Sequence, residues 1–365
     1  MNKKLMAVAV AGALAAPALA YAQSASNVQV YGRAQLTLAN VKTTDATSGV
    51  NIRSRNRVDD NSSRIGFRGE ERLSPDLRAI FRIESGVNMD TGDNSRNTGP
   101  FASREGWVGL RSNSMGQLTI GKQNVWWTNF TDQTQANYIN HGLQYNTGGN
   151  GGGLAAPAVR LNNDIKYTTP NWNGFRGYLN YAPNSEAAVG GADTDGKVLG
   201  VSASYLTKTI LAEFHWAENE AAGPSPATRT GTKLGLGWAY NPGAIISLNL
   251  IRLEDENVVG TSTRKVNSWQ LNWSHMMGNW QWMAQLGASG DRSGASDTGS
   301  KGWLLAAKYH FSKRTGAYIS YTKVDNESGA NYDYNGGGNA VGVNTAGVGV
   351  GADPSIFGIG IQHNF

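Results

Sequence analysis

Apolar and polar side chains alternate one by one through most of this chain, in runs of about ten residues separated by turn formers, which is the period of extended strands. The last eleven residues, Ser355 to Phe365, are the clearest case. Phe357, Ile359, Ile361, His363 and Phe365 share one face, and Ile356, Gly358, Gly360, Gln362 and Asn364 share the other. Asn27 to Ala39 repeats the pattern, with Val28, Val30, Gly32, Ala34, Leu36 and Leu38 opposite Gln29, Tyr31, Arg33, Gln35 and Thr37. A greasy edge strand ending on a free terminal Phe is a poor design for a soluble domain. It suits a strand whose apolar face meets lipid, whose polar face meets water, and whose open edge pairs with the first strand of the same chain.

A polar stretch reaching Asn61 reads as a loop, and further strands are then predicted at Ser63 to Glu71, Leu77 to Ser85, Gly106 to Leu110, Gln117 to Lys122, Asp164 to Thr168 and Phe175 to Tyr181. Others follow at Val198 to Leu206, Ile210 to Trp216, Thr232 to Tyr240, Ala244 to Arg252, Val266 to His275, Trp280 to Ala288, Gly302 to Phe311 and Gly316 to Lys323. Short turns such as Asn241-Pro242-Gly243 alternate with longer loops. The expected fold is therefore all-β: a 16-stranded antiparallel transmembrane β-barrel with a long, inward-folded third loop. A soluble sandwich or solenoid also has many strands, and no single strand excludes it.

The N-terminus weighs against that alternative. Lys3 and Lys4 precede an apolar run from Leu5 to Ala16, and small residues follow at Ala18, Ala20 and Ala22. This is the build of a secretory signal peptide over residues 1–22, which leaves a mature barrel domain over 23–365. No later apolar run approaches the roughly 18 residues of a helical span, so any crossing of a membrane is by strands. The 47 Gly, 14 Tyr and 11 Trp suit tight turns and interfacial aromatics, and the absence of Cys excludes thiol chemistry and Cys-based metal sites. The formal charge of +5 stays basic after Lys3 and Lys4 leave with the leader.

The segment from Lys122 to Asn162 holds no clear strand. Trp126, Trp127, Phe130, Tyr138 and Tyr145 give it packing surface, and Asp132 is its only carboxylate. Interior connections of this length are uncommon and usually functional. Folded into a sixteen-strand lumen, it would narrow the passage. Alternation turns Arg33, Arg64, Arg68, Arg78, Arg82 and Glu84 inward, and Arg160 and Lys166 stand at the far end of the loop. Arg facing lipid would cost about 2–4 kcal/mol at the bilayer midplane, so these side chains share the water-filled side. An excess of Arg at a constriction favours anions, with Glu84 and Asp132 as counter-charges.

Catalysis finds little support. His141, His215, His275, His310 and His363 lie in no G-x-S-x-G or H-E-x-x-H motif, so no catalytic, cofactor or metal residues are assigned. The glycine pairs of GLGWAY and GIGIQ lack the helix a dinucleotide site requires, and the scattered Arg match no nucleic-acid fold.

The segments VQVYGRAQ (Val28 to Gln35), SSRIGFRGEE (Ser62 to Glu71), AIFRIESG (Ala79 to Gly86), EGWVGL, GQLTIGKQ, RLNNDIKYTTPNWNGF (Arg160 to Phe175), FSKRTGAYISY (Phe311 to Tyr321) and the terminal Phe resemble the trimeric general porins of Gram-negative outer membranes, of the betaproteobacterial type. The resemblance spans the mature chain. It implies a homotrimer embedded in outer-membrane lipid and lipopolysaccharide, passing small hydrophilic solutes by passive diffusion, often with a preference for anions. The Gly-rich eighth loop and the acid-poor third loop depart from the family pattern, so neither cation selectivity nor a calcium site carries over. A surface adhesin or a substrate-specific channel is the alternative role for such a barrel.

Overall fold

The computed structural model describes residues 27–47, 51–92, 101–125, 143, 160–183, 196–220, 228–256, 263–334 and 349–365. The leader and most of the third connection, Asp132 included, lie outside the described residues. The first strands are β1 (Asn27–Thr44), β2 (Arg55–Asp60), β3 (Arg64–Arg72), β4 (Leu77–Gly86), β5 (Glu105–Ser112) and β6 (Gly116–Asn124). Next come β7 (Arg160–Thr168), β8 (Phe175–Ala182), β9 (Val198–Leu206), β10 (Ile210–Glu220), β11 (Thr228–Asn241) and β12 (Ala244–Glu256). The wall is completed by β13 (Arg264–Met277), β14 (Trp280–Ser289), β15 (Ser300–His310), β16 (Thr315–Asn326) and β17 (Asp353–Asn364).

Every strand pairs antiparallel with its neighbours, and β17 returns to β1 to close the sheet. Segments β2 and β3 both lie against β1, at Leu36–Val41 and Asn27–Arg33, so they form one stave interrupted at Asn61–Ser63 and the barrel has 16 staves. This corrects the loop expected up to Asn61. Both β1 and β2 extend into the rim, where ladder hydrogen bonds persist but isolated apolar residues such as Val41 and Val58 stand among polar ones on both faces, so alternation gives little signal there.

The faces are inverted relative to a soluble domain. Outward Leu38 and Trp238 are 67% and 60% exposed, whereas inward Gln270, Asn272 and Gln285 are fully buried. Aromatics gather on the outer surface at the short-turn rim, including Trp238, Trp273, Trp280, Trp282, Tyr309 and Phe311. A second group, Trp303, Tyr321 and Phe357, lies toward the long-loop rim. Two aromatic belts bounding an apolar band are the mark of a membrane-spanning barrel. His363 joins the lower belt, stacked on Phe365 and hydrogen-bonded through Nδ1 to Thr315 Oγ1 at 2.9 Å.

The seam between β1 and β17 is fastened twice. Gly32 and Phe365 exchange backbone hydrogen bonds at 2.9 and 3.1 Å, and the Phe365 ring lies directly over Gly32, where an added Cβ would sit 2.3 Å from Cζ. Further up, Tyr318 of β16 crosses β17 at Gly360, whose missing side chain leaves room for the ring, and its hydroxyl reaches Gln35, Thr37 and Asn61. One buried side chain on β16 thus reaches across β17 to β1 and to the stave beyond it. Tyr318→Phe is expected to lower the temperature at which folded protein loses its heat-modifiable mobility, because Gln35 and Asn61 would each lose a buried acceptor.

At the short-turn rim, Asp76 of the β3–β4 turn ties its neighbour, the β5–β6 turn. Its carboxylate accepts from Ser112 Oγ, from Ser114 Oγ at 2.7 Å and from the Asn113 amide at 2.9 Å. Those donors, the Ser112 hydroxyl foremost, hold the Asp76 carboxyl below its ordinary value. The stabilisation is fully present above the unfolded pKa of about 3.9 and disappears as pH falls through the lower folded value. Thermal unfolding of the wild type against Asp76→Asn should therefore differ at neutral pH and converge in strong acid.

Candidate functional site

The first staves carry charge on their inner face because strand alternation leaves no other place for it. Tyr31 of β1 crosses β3 at Gly66, and its hydroxyl donates to Glu84 Oε2 of β4 at 3.0 Å. Glu84 also accepts from Arg104 Nε at 2.7 Å and lies 3.7 Å from Arg64. Beside it, Glu105 receives Arg82 Nη1 at 3.1 Å, Trp107 Nε1 at 2.9 Å and the amide of Asn124. Lys166 Nζ donates to the Asn124 carbonyl at 2.6 Å, and Arg160 has Arg104, Glu84 and Glu105 as its electrostatic neighbours. Asp164, fully buried, accepts from Asn180 Nδ2 at 2.7 Å.

This wall holds five cations, Arg64, Arg82, Arg104, Arg160 and Lys166, against three carboxylates, Glu84, Glu105 and Asp164. Each glutamate is shared among several donors, so the carboxylates order the guanidinium groups without neutralising them. The Arg68 and Arg82 guanidinium groups both lie over the Tyr31 ring, 5.1 and 5.3 Å from its centroid. That contact fixes their planes at small cost in side-chain entropy.

Of the residues expected from sequence, Arg64, Arg82, Glu84, Arg160 and Lys166 come together here. Arg160 opens strand β7 rather than ending the loop. Arg68 and Arg78 sit closer to the short turns, where Arg78 and Arg111 share Glu70. Arg33 pairs in register with Arg64 but turns its Nε toward Asn364 Oδ1 at 3.4 Å, on the other flank. Asp132 lies outside the described residues.

Arg104, Glu105 and Arg111 escaped the sequence reading. Strand β5 starts at Glu105, earlier than expected, because its first residues are polar on the lumen side and Gly106 faces out. The period-two row Glu105, Trp107, Gly109, Arg111 was the available signal.

Two long connections reach into the barrel. Leu143 of the third connection is buried against Val324, Ala330 and Tyr332, its amide donates to Gln285 on the inner face of β14 at 3.0 Å, and it forms a β-bridge with Tyr334. Residues 327–334 of the eighth connection therefore fold inward, with Tyr332 hydrogen-bonded to Ser289 at 2.6 Å. Elsewhere on the inner face, His215 contacts Ser202 at 2.9 Å and Glu213 at 3.3 Å, with Lys233 3.4 Å from Glu213. The order Ser, His, Glu is that of a hydrolytic relay, but Ser202 and His215 are buried in the wall and the group cross-links β9, β10 and β11.

Outer membrane porin protein 32 of Delftia acidovorans is 29% identical over 381 residues and covers both chains completely. An outer membrane porin protein of Bordetella pertussis is 28% identical over 308 residues, covering 72% of this chain and 77% of that protein. Among solved structures, the anion-selective porin from Comamonas acidovorans superposes with a TM-score of 0.77 at 25% identity, over 93% of this chain and 100% of that one. OmpT of Vibrio cholerae shares the fold at a TM-score of 0.66 and 14% identity, over 93% of this chain and 98% of that one. The model of the Gram-negative porin family matches residues 7–330, and with the closed barrel, its two aromatic belts and its charged lumen on the same chain, the protein belongs to that family and forms a channel in the outer membrane.

Proposed function

We propose that the channel passes small hydrophilic solutes by passive diffusion and prefers anions. The observation that carries this reading is the surplus of Arg and Lys over carboxylates on the inner wall of β3–β7. In a narrow, low-dielectric passage that surplus raises the local concentration of anions and repels cations. The name of the Comamonas acidovorans neighbour, an anion-selective porin, supports the same sign.

Residues 1–22 act in this reading as the export signal, and the working unit is a homotrimer set in lipid and lipopolysaccharide. The outer wall supports subunit contact on one side. Exposed residues on β1 and β3–β6, such as Val28, Val30, Leu38, Ile65, Val108 and Ile120, include no outward Trp or Tyr, whereas the rest of the circumference carries both belts. Interfacial aromatics serve where lipid headgroups lie, so a wall without them fits burial against a second copy.

The test is the zero-current potential of the purified protein in a planar bilayer under a KCl gradient. The expected sign is that of chloride permeation, weakening between 0.1 M and 1 M salt as the Debye length falls from about 10 to 3 Å. A potassium-signed or null potential would remove the reading.

A further inference from the structure

Below the charged wall, toward the short turns, the lumen face opens into a recess of about 580 Å3 lined by Gln29, Arg68, Ile80, Arg82, Trp107 and Arg111 among others. A volume of this order is typical of small-molecule sites. Its cations are not equally engaged. Arg82 is spent on Glu105, and Arg111 shares Glu70 with Arg78. Arg68 has only the Gln29 amide, at 3.1 Å, and the Tyr31 ring, and among the described residues it has no carboxylate partner. Its guanidinium is oriented by those two contacts and keeps donors in reserve. Trp107 adds a flat apolar surface whose tilt is fixed, because Nε1 is committed to Glu105. Ile80 closes the floor.

We propose that this recess is a retention subsite for small organic carboxylates carrying a planar apolar body, the carboxylate held by Arg68 and the body laid against Trp107 and Ile80. The proposal deepens the anion-channel reading, on which the arrival of such solutes depends, by separating retention from charge selection. Simple anions such as chloride or acetate satisfy Arg68 alone and leave at once. A carboxylate with an aromatic body gains the apolar contact as well and dwells.

The experiment uses the mature trimer in planar bilayers with chloride as the current carrier, adding benzoate or acetate at equal concentration to one chamber at a time. Benzoate is expected to interrupt the current with dwell times about tenfold longer than acetate, from the chamber facing the short-turn rim. Arg68→Gln should shorten benzoate dwells about tenfold, as loss of a charge-assisted hydrogen bond does. Trp107→Leu should shorten benzoate dwells and leave acetate unchanged. Equal dwells for the two anions, or benzoate dwells indifferent to Arg68→Gln, would overturn the subsite even where the zero-current potential keeps the chloride sign. Loss of the chloride sign with Arg68-dependent benzoate dwells would instead overturn the selectivity reading and leave the subsite standing.

Discussion

Deleting Phe365 is expected to cut the yield of folded, heat-modifiable protein on unheated gels by about tenfold or more. The residue closes the wall at its last register position. Its backbone exchanges hydrogen bonds with Gly32 at 2.9 and 3.1 Å, and its ring covers the only outward position of β1 where the backbone is bare. Two net hydrogen bonds and one packed aromatic amount to about 3 kcal/mol, and each 1.4 kcal/mol is a factor of ten. An independent variant reaches the same contact from the other side. Gly32→Val places a side chain where the ring and the Arg64 carbonyl already stand, 2.3 and 2.5 Å from the new Cβ. Both variants should fail together, while Phe365→Tyr should assemble. Wild-type yield from the deletion would show that the seam closes without its final residue.

Charge reversal on the inner wall is the second large effect. Arg160→Glu with Lys166→Glu takes the set of Arg64, Arg82, Arg104, Arg160, Lys166, Glu84, Glu105 and Asp164 from two net positive charges to two net negative. The zero-current potential under a KCl gradient is expected to change sign, with the chloride-to-potassium permeability ratio moving by about tenfold or more. Arg160→Glu alone should move it in the same direction by a smaller amount. These positions are chosen over Arg82 because Arg82 anchors the buried Glu105, and its loss would strand that carboxylate and confound selectivity with stability. A potential that stays put in the double variant would place the filter elsewhere in the lumen.

Much of this was legible from alternation alone, since a stave crossing a bilayer must present an oily face and a wet one. Trp269, Leu271 and Trp273 against Gln270, Asn272 and Ser274 on β13 is the pattern in plain form, and the inward set there is buried as expected. The rims were not legible. From Asn40 to Thr44 and through β2 the inward side chains Val41, Thr43 and Asp59 are buried but mostly polar and the outward ones are mostly polar too, so hydropathy shows no clear period although the backbone remains paired. At the site, the sign of the inward faces could be read, but which charges meet could not. The distinction between Arg64, tied to Glu84, and Arg33, turned toward Asn364, depends on stagger between strands, which sequence spacing does not encode. The two crossings by Tyr31 and Tyr318 were hidden for the same reason, although the inward glycines Gly66 and Gly360 were their trace.

The bridge between Leu143 and Tyr334 joins the third connection to the beginning of the eighth, at a point buried inside the mouth. Long loops of such a barrel lie on the extracellular side, and loops are where sequence is freest to vary. Here that freedom is curtailed, because a change near Tyr334 also displaces a strut that braces the third connection inside the mouth.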